Sequence, residues 1–234
     1  MIARWGRALS LLPPPPARVL DCGCAFGHLT RQLARHYQTA AIDLDPAYLD
    51  RARRQAPGAD IRLGPADALP WPDSAFDAAV CLDVLEHCPD PPAAVAELAR
   101  VIRPGGILVA SVPHRGALAA ADSLNVYARL LPRRGPPTDD PSWPLRPHHR
   151  HFSLEEFAEL LAPEFTIEAV HRTGLGLAEL VNLPLLLLSR AISRRLRPVY
   201  ALLQYLYFGT YILEDLLPAG RFGYHLMVRA RRRG

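Results

Sequence analysis

Short, nearly unbroken apolar runs alternate along the first half of the chain with stretches whose apolar residues recur every three or four positions. Val19-Leu20, Ala40-Ala41-Ile42, the run ending at Leu82 and Ile107 to Val112 have the first pattern, which marks strands buried on both faces. It places strands near 18–22, 39–43, 59–63, 76–82 and 106–112. The second pattern places helices near 27–36, 46–55 and 92–103. In the last of these Ala94, Leu98, Ala99 and Ile102 share one face, and Pro104-Gly105-Gly106 stops it. Strict alternation of the two patterns predicts a parallel sheet covered on both faces. Residues 116–131 read as another helix, and the proline- and histidine-rich stretch 132–150 as a loop over the site. Ser153 is placed as an N-cap with Glu156 at the capping-box position, followed by a helix to Leu161 and a strand at 165–171. Phe222 to Ala230 is a final strand-like run. Met1 to Leu12, carrying Arg4 and Arg7, reads as a surface helix, so 1–16 form an N-terminal helix and proline linker with no cleavable signal pattern.

A second feature interrupts the last two strands. Residues 174–219 form a helical insertion whose Leu183–Leu188 and Val199–Leu213 segments are strongly apolar, with Arg190, Arg194, Arg195 and Arg197 between them. Pro184, Gln204 and Gly209 break both segments below the roughly 20 apolar residues a spanning helix needs. Tyrosines interleaved with leucines and flanked by arginines suit a headgroup region. Two readings stand: attachment to a membrane surface, or helices packed on the core or across a homodimer interface.

The chemistry concentrates in Val19-Leu-Asp-Cys-Gly-Cys-Ala-Phe-Gly-His-Leu-Thr30, where an apolar strand ends in Asp21 and passes through a glycine turn into a helix. Such a turn brings backbone N–H groups and a helix N-terminus close to a ligand. Twenty residues beyond Gly23, the second strand ends in Asp43, where nucleotide-binding folds hold a ribose diol. The spacing points to an adenosine ligand. The dinucleotide G-x-G-x-x-G pattern fits poorly and the Walker lysine is absent.

The turn resembles motif I, D-x-G-x-G-x-G, of class I S-adenosylmethionine-dependent methyltransferases. Asp21, Gly23 and Gly27 match. Ala25 replaces the central glycine, so an ordinary backbone conformation is expected there. Gly64-Pro-Ala-Asp67-Ala68-Leu-Pro-Trp-Pro-Asp-Ser-Ala-Phe76-Asp77, the run Ala78 to His87, and Arg100-Val-Ile-Arg-Pro-Gly-Gly-Ile-Leu108 continue the likeness in order. It spans about 17–113 and, more weakly, 150–171 and 222–230. The resemblance implies one domain over 1–234, a Rossmann-like, seven-stranded, mostly parallel sheet with helices on both faces and an antiparallel C-terminal strand. It implies S-adenosylmethionine as cofactor, held by Asp21, Gly23, Cys24, Ala25, Gly27, Asp43, Leu44, Asp67, Ala68 and Leu82. Asp67 would accept from the adenine amine, Ala68 would offer its backbone N–H to the ring, and Asp43 would grip the sugar.

His87, after the fourth strand, is the candidate general base, since a neutral imidazole accepts a proton near neutral pH. The histidines His148, His149 and His151 are the other candidates. The stretch Leu82-Asp83-Val-Leu-Glu86-His87 also resembles the ubiquinone-pathway O-methyltransferases, in which such groups can hold a divalent cation; no metal is assigned here. All 27 basic residues are arginine, as a GC-rich genome produces. Cys22, Cys24, Cys81 and Cys88 lack zinc or redox-pair spacing and read as reduced, buried thiols of a cytoplasmic protein, or of one at the inner membrane face. Scattered arginines without a recognition module argue against nucleic acid. The expected acceptor is a hydroxyl or carbon of a small or lipophilic molecule. The alternatives are a nicotinamide-dependent oxidoreductase and a catalytically inactive, membrane-associated cofactor-binding partner.

Overall fold

The double-faced apolar runs become the central strands of a seven-stranded sheet in a computed structural model that describes residues 2–116, 119, 122–130, 150–191, 206, 209, 210, 213, 220 and 223–234. The strands are β1 (Arg18–Cys22), β2 (Gln38–Asp43), β3 (Asp60–Leu63), β4 (Phe76–Leu82), β5 (Ile102–Pro113), β6 (Phe165–Thr173) and β7 (His225–Arg232). Their spatial order is β3-β2-β1-β4-β5-β7-β6. The pairs from β3 through β5 are parallel, and the C-terminal strands are antiparallel. The order reverses between β1 and β4, the switch point at which open α/β sheets take ligands beyond their strand carboxyl ends. The helices are α1 (Ile2–Leu11), α2 (His28–Leu33), α3 (Pro46–Gln55), α4 (Pro91–Val101), α5 (Ser123–Leu130), α6 (Leu154–Leu161) and α7 (Leu177–Ala191).

The chain divides into two compact units. The larger comprises Trp5–Val112, Leu154–His171 and Met227–Gly234. In its core Ala8 of α1, Leu12 just after that helix, and Leu29 and Leu33 of α2 pack on Val19, Val80 and Val109 of three adjacent strands. Cys24, Ala41, Leu49 and Ala52 form a second cluster. Helix starts follow local chemistry. Asp45 caps α3 by accepting the Ala47 N–H at 2.8 Å, and Asp90 caps α4 by accepting that of Ala93 at 3.1 Å, each just before a proline suited to the first turn.

The smaller unit comprises Met1–Arg4, Pro113–Ser153 and Arg172–Leu226. A buried polar network organises it. Asp122 accepts the Asn125 N–H at 2.8 Å and the Tyr224 hydroxyl at 2.9 Å, and His151 Nε2 lies 3.4 Å from it. Glu179 of α7 accepts both the N–H and the hydroxyl of Ser123, at 2.9 and 2.5 Å, and so closes the N-terminus of α5.

The two largest shifts of a boundary from expectation are the starts of β5 and α5. β5 begins at Ile102, four residues early, because Gly105 takes φ +73° and lets the chain continue through Pro104-Gly105-Gly106. The irregularity appears as a register shift in its pairing with β4 between Phe76 and Ala78. The helix expected over 116–131 is α5, starting at Ser123. Apart from Arg150, the stretch 132–150 expected as a loop lies outside the described residues, as do His148, His149 and most of 192–222. Among the described residues no helix is long and apolar enough to cross a membrane. The four cysteines form no disulfide.

Candidate active site

The site lies in the larger unit, at the carboxyl ends of β1, β2 and β4. β1 delivers Asp21 and then turns sharply. Gly23 and Cys24 both donate backbone N–H groups to the Ile42 carbonyl, at 2.9 and 3.0 Å, which ties the turn to β2. Gly23 (φ +81°) and Gly27 (φ +80°) hold the left-handed conformation that glycine adopts freely. Both also sit where a side chain has no room. A Cβ on Gly23 would lie 2.2 Å from Val84 Cγ2, and one on Gly27 would lie 2.6 Å from the Ala52 Cα in α3. Gly27→Ala should therefore destabilise the protein by about 3 kcal/mol, combining left-handed strain with an overpacked helix contact. Urea denaturation measures this; a variant as stable as wild type would show that α2 and α3 separate easily.

Ala25 departs from expectation. It adopts φ +44°, the left-handed region, rather than an ordinary conformation. The surroundings impose this strain. The Ala25 N–H donates to Asp43 Oδ2 at 2.7 Å, while the two residues before it are pinned to β2. Alanine thus holds here the left-handed conformation that glycine adopts freely.

Asp43 is the hub of the site. Its side chain is 7% exposed and reaches across to the turn after β1. Its other oxygen, Oδ1, accepts the Asp45 N–H at 3.0 Å. Both oxygens retain lone pairs for ligand hydroxyls. The next residue, Leu44, is 51% exposed, and Leu63, paired with Asp43 in register, is 54% exposed, so the ends of β2 and β3 form an apolar ledge. The sequence reading missed Leu63. Gly64 donates to the Asp43 carbonyl at 3.0 Å and keeps the two strand ends together.

Asp21 is 3% exposed, and Oδ2 accepts the Thr30 hydroxyl at 2.6 Å. Burial pushes its pKa up to about 7; the Asp43 carboxylate adds to the rise and the Thr30 hydrogen bonds oppose it. Thr30 was not anticipated as a site residue. Two acidic side chains, one poised near neutral pH, suit a cationic ligand. Burial also pushes the Cys24 thiol far up, so Cys24 contributes backbone and packing, not a thiolate.

Asp67 and Ala68 stand exposed on the loop after β3, and the Ala68 N–H makes only a long 3.4 Å bond to the Pro65 carbonyl. Leu82, at the end of β4, is half-buried. Asp83 follows with φ +55°, held by its N–H to the Ser111 carbonyl at 3.0 Å and by the Ser111 hydroxyl to its Oδ1 at 2.8 Å. A short 3-10 turn, Leu85–His87, then places His87 with its side chain 12% exposed and Nε2 3.8 Å from Glu86 Oε1. Among the described residues no three His, Cys, Asp or Glu side chains converge on a metal position.

A glycine turn locked to the second strand, a buried acid at that strand's tip and this strand order define a class I methyltransferase fold. Comparison with known proteins agrees. Residues 20–110 match the model of the methyltransferase domain family. A malonyl-[acyl-carrier protein] O-methyltransferase from Serratia marcescens is 39% identical over 105 residues, 44% of this chain and 41% of that protein. A ubiquinone biosynthesis O-methyltransferase from Xanthomonas oryzae is 39% identical over 126 residues, 50% of this chain and 53% of that protein. The chain thus spans about half the length of the curated relatives it matches. The crystal structure of the [4+2]-cyclase SpnF superposes with a TM-score of 0.65 at 22% identity, covering 99% of this chain and 80% of that one. Over residues 20–110 the chain thus resembles the methyltransferase domain family, and it shares its fold with solved methyltransferase structures.

Proposed function

We propose that this chain transfers the methyl group of S-adenosylmethionine to a hydroxyl or carbon of a small or lipophilic acceptor. The observation that carries the reading is the Asp43 carboxylate closed on the turn after β1, with Oδ2 2.7 Å from the Ala25 nitrogen. That contact brings the sugar-gripping acid and the glycine turn into one cradle.

The residues present fit the cofactor. The left-handed turn at Gly23 and Gly27 leaves backbone without side chains at the strand ends, and the Asp21–Asp43 pair offers negative charge to a molecule bearing an ammonium and a sulfonium. When bound, the sulfonium supplies an electrophilic methyl that an acceptor lone pair takes in line. The protein's work is then orientation and exclusion of water. In the bound state Asp43 would hold the ribose diol, Leu44 and Leu82 would cover apolar faces, Asp67 would accept from the adenine amine, and the Ala68 N–H would be offered to the ring. His87 takes the proton when the acceptor is a hydroxyl, with Glu86 beside it to stabilise the imidazolium. The O-methyltransferase relatives favour an oxygen acceptor. The apolar, arginine-bearing segment 174–219 favours a lipid-like one met at the inner membrane face, or a second copy of the chain.

The test combines binding with transfer. Calorimetry should show S-adenosylmethionine and S-adenosylhomocysteine binding and no heat with NAD. Radiolabelled methyl transfer should mark a component of a cell lipid extract. Replacing His87 by asparagine should lower turnover roughly 10²- to 10⁴-fold and leave cofactor affinity unchanged. Heat with NAD alone would establish the oxidoreductase alternative, and cofactor binding without transfer to any extract would establish an inactive partner. The fold by itself does not decide between these outcomes, since one fold hosts many chemistries.

A further inference from the structure

We propose that Glu97 and Arg100 of α4 are positioning residues that set the base preference of the nucleoside site. The inference rests on the cofactor reading above and deepens it. Asp67 and Ala68 lie exposed on a loop that has neither helix nor strand, the kind of segment that opens most easily. That loop is nevertheless tied down at the very next residue. The Leu69 N–H donates to Glu97 Oε2 at 2.7 Å, and the Leu69 carbonyl accepts from Arg100 Nη2 at 2.9 Å. Nη1 of the same guanidinium donates to the Trp71 carbonyl at 2.8 Å and to Asp73 Oδ1 at 2.9 Å. The two side chains also hold each other: Arg100 Nε donates to Glu97 Oε1 at 2.6 Å and Nη2 to Oε2 at 2.9 Å. The Arg100 hydrogen bonds keep the Glu97 carboxyl below its ordinary range.

The Leu69 N–H belongs to the peptide plane that closes Ala68. With that plane fixed, the Asp67–Ala68 plane can turn only about the two dihedrals of Ala68. The range open to the Ala68 N–H and to Asp67 is therefore narrow. Leu69 and Trp71, each 4% exposed, anchor the loop in the core, while Pro70 between them is exposed. Its other side is tied to β3. Trp71 Nε1 donates to Asp60 Oδ2 at 2.9 Å, and Arg62 donates to the Pro70 carbonyl with its guanidinium 4.8 Å from the Trp71 ring centre. Those contacts hold Pro70 and Trp71. Leu69, the neighbour of Ala68, is the residue that Glu97 and Arg100 hold. A planar guanidinium serves several acceptors at once, which suits this position.

Calorimetry on the intact chain with S-adenosylhomocysteine and with S-inosylhomocysteine, whose ring carries a carbonyl in place of the amine, tests the proposal. Wild type should prefer the adenosyl compound by about ten-fold, the worth of one hydrogen bond. Arg100→Gln should bring the two within about two-fold, through weaker binding of the adenosyl compound. Glu97→Ala removes the acceptor of the Leu69 N–H and should do the same, so the test does not hang on one variant folding. Glu97→Gln restores an acceptor there and should recover most of the preference. Arg103→Gln breaks an ion pair with Asp77 just beyond the same helix and should leave the preference intact. Hydrogen exchange in the empty protein reads the hold on the loop by itself: the Leu69 N–H should exchange at least about ten-fold faster in Arg100→Gln. The proposal falls if the Arg100→Gln and Glu97→Ala variants discriminate as wild type does, or if both ligands weaken equally, as a mere brace for the fold would produce. A wild type that binds the adenosyl compound without preferring it removes the proposal and leaves the cofactor reading standing. One that binds neither compound removes the cofactor reading, and the proposal with it, even where Leu69 is protected.

Discussion

Replacing Asp43 by alanine is expected to weaken S-adenosylmethionine binding at least a hundred-fold, about 3 kcal/mol, and to lower folding stability by about as much. The two effects share a cause. In the native protein one oxygen accepts the Ala25 N–H at 2.7 Å and the other accepts the Asp45 N–H at 3.0 Å, in a side chain only 7% exposed. Bonds from N–H groups to an ionised carboxylate are stronger than neutral ones, and leaving a buried donor unmet costs about 1–3 kcal/mol. Alanine strands both donors and releases the hold on Ala25, whose φ of +44° is then free to relax. The turn after β1 would lose the shape that fits a ligand. Asparagine keeps one acceptor and aims its amide at the other N–H, so it should fall between wild type and alanine. Calorimetry reads the affinity and urea denaturation the stability. Comparing the cofactor with its 2′- and 3′-deoxy forms separates sugar recognition from positioning of the turn. Removing the hydroxyls should weaken binding to wild type and change nothing further in the alanine variant. If alanine binds the cofactor as tightly as wild type, Asp43 is not the ribose ligand.

Which parts of this site could be read from the sequence depends on the distance between the residues that make it. β1, β2 and β4 were legible because strands buried on both faces leave an unbroken apolar run, and Asp43 because its spacing from Gly23 is local to one strand-helix-strand unit. Thr30 was inside the quoted motif but had no assigned role. Its hydroxyl meets Asp21 only because α2 folds back over the end of β1. Val84 lies some sixty residues after Gly23, and its packing against the turn follows from the parallel pairing of β1 with β4. No local pattern encodes that contact. Leu63 was missed for another reason. β3 is an edge strand of half-buried and exposed residues, so an exposed leucine at its tip looks ordinary until the register sets it beside Asp43. The start of β5 was misplaced because Pro-Gly-Gly ordinarily marks a break, whereas pairing with β4 is already made at Ile102 before it and resumes, shifted in register, at Ile107 after it. Ala25 shows the same limit at one residue. Propensity favours a negative φ, and tertiary hydrogen bonds from Asp43 and β2 override it.

Asp21→Asn should separate the stability of the empty protein from its affinity for the cofactor, moving them in opposite directions above neutral pH. Burial lifts the Asp21 pKa from 3.8 in the unfolded chain to about 7 in the folded one, against the pull of the Thr30 hydrogen bonds. A raised folded-state pKa means that the neutral acid is the form the fold prefers. Its contribution to stability is complete below pH 3.8 and is lost as pH climbs from there to about 7. At roughly 1.4 kcal/mol per pH unit across that window, the ionised carboxylate weakens the empty fold by about 4 kcal/mol at pH 8. Asparagine keeps an acceptor for the Thr30 hydroxyl and removes the charge, so the empty variant should melt higher than wild type at pH 8 and much the same at pH 4. The ligand reverses the preference. An ammonium and a sulfonium beside Asp21 and Asp43 favour the carboxylate, so binding near pH 7 should expel a proton from Asp21. Calorimetry in buffers of different ionisation enthalpy should therefore show proton release in wild type and none in the variant. Wild-type affinity should rise from pH 6 to pH 8, whereas the variant should bind at least ten-fold more weakly at pH 8 with a nearly flat profile. S-adenosylhomocysteine, which lacks the sulfonium charge, should show a shallower pH dependence than S-adenosylmethionine. A wild-type affinity that does not change between pH 6 and pH 8, or a variant that binds as tightly as wild type at pH 8, would show that Asp21 braces the turn through Thr30 and does not meet the ligand's positive charge.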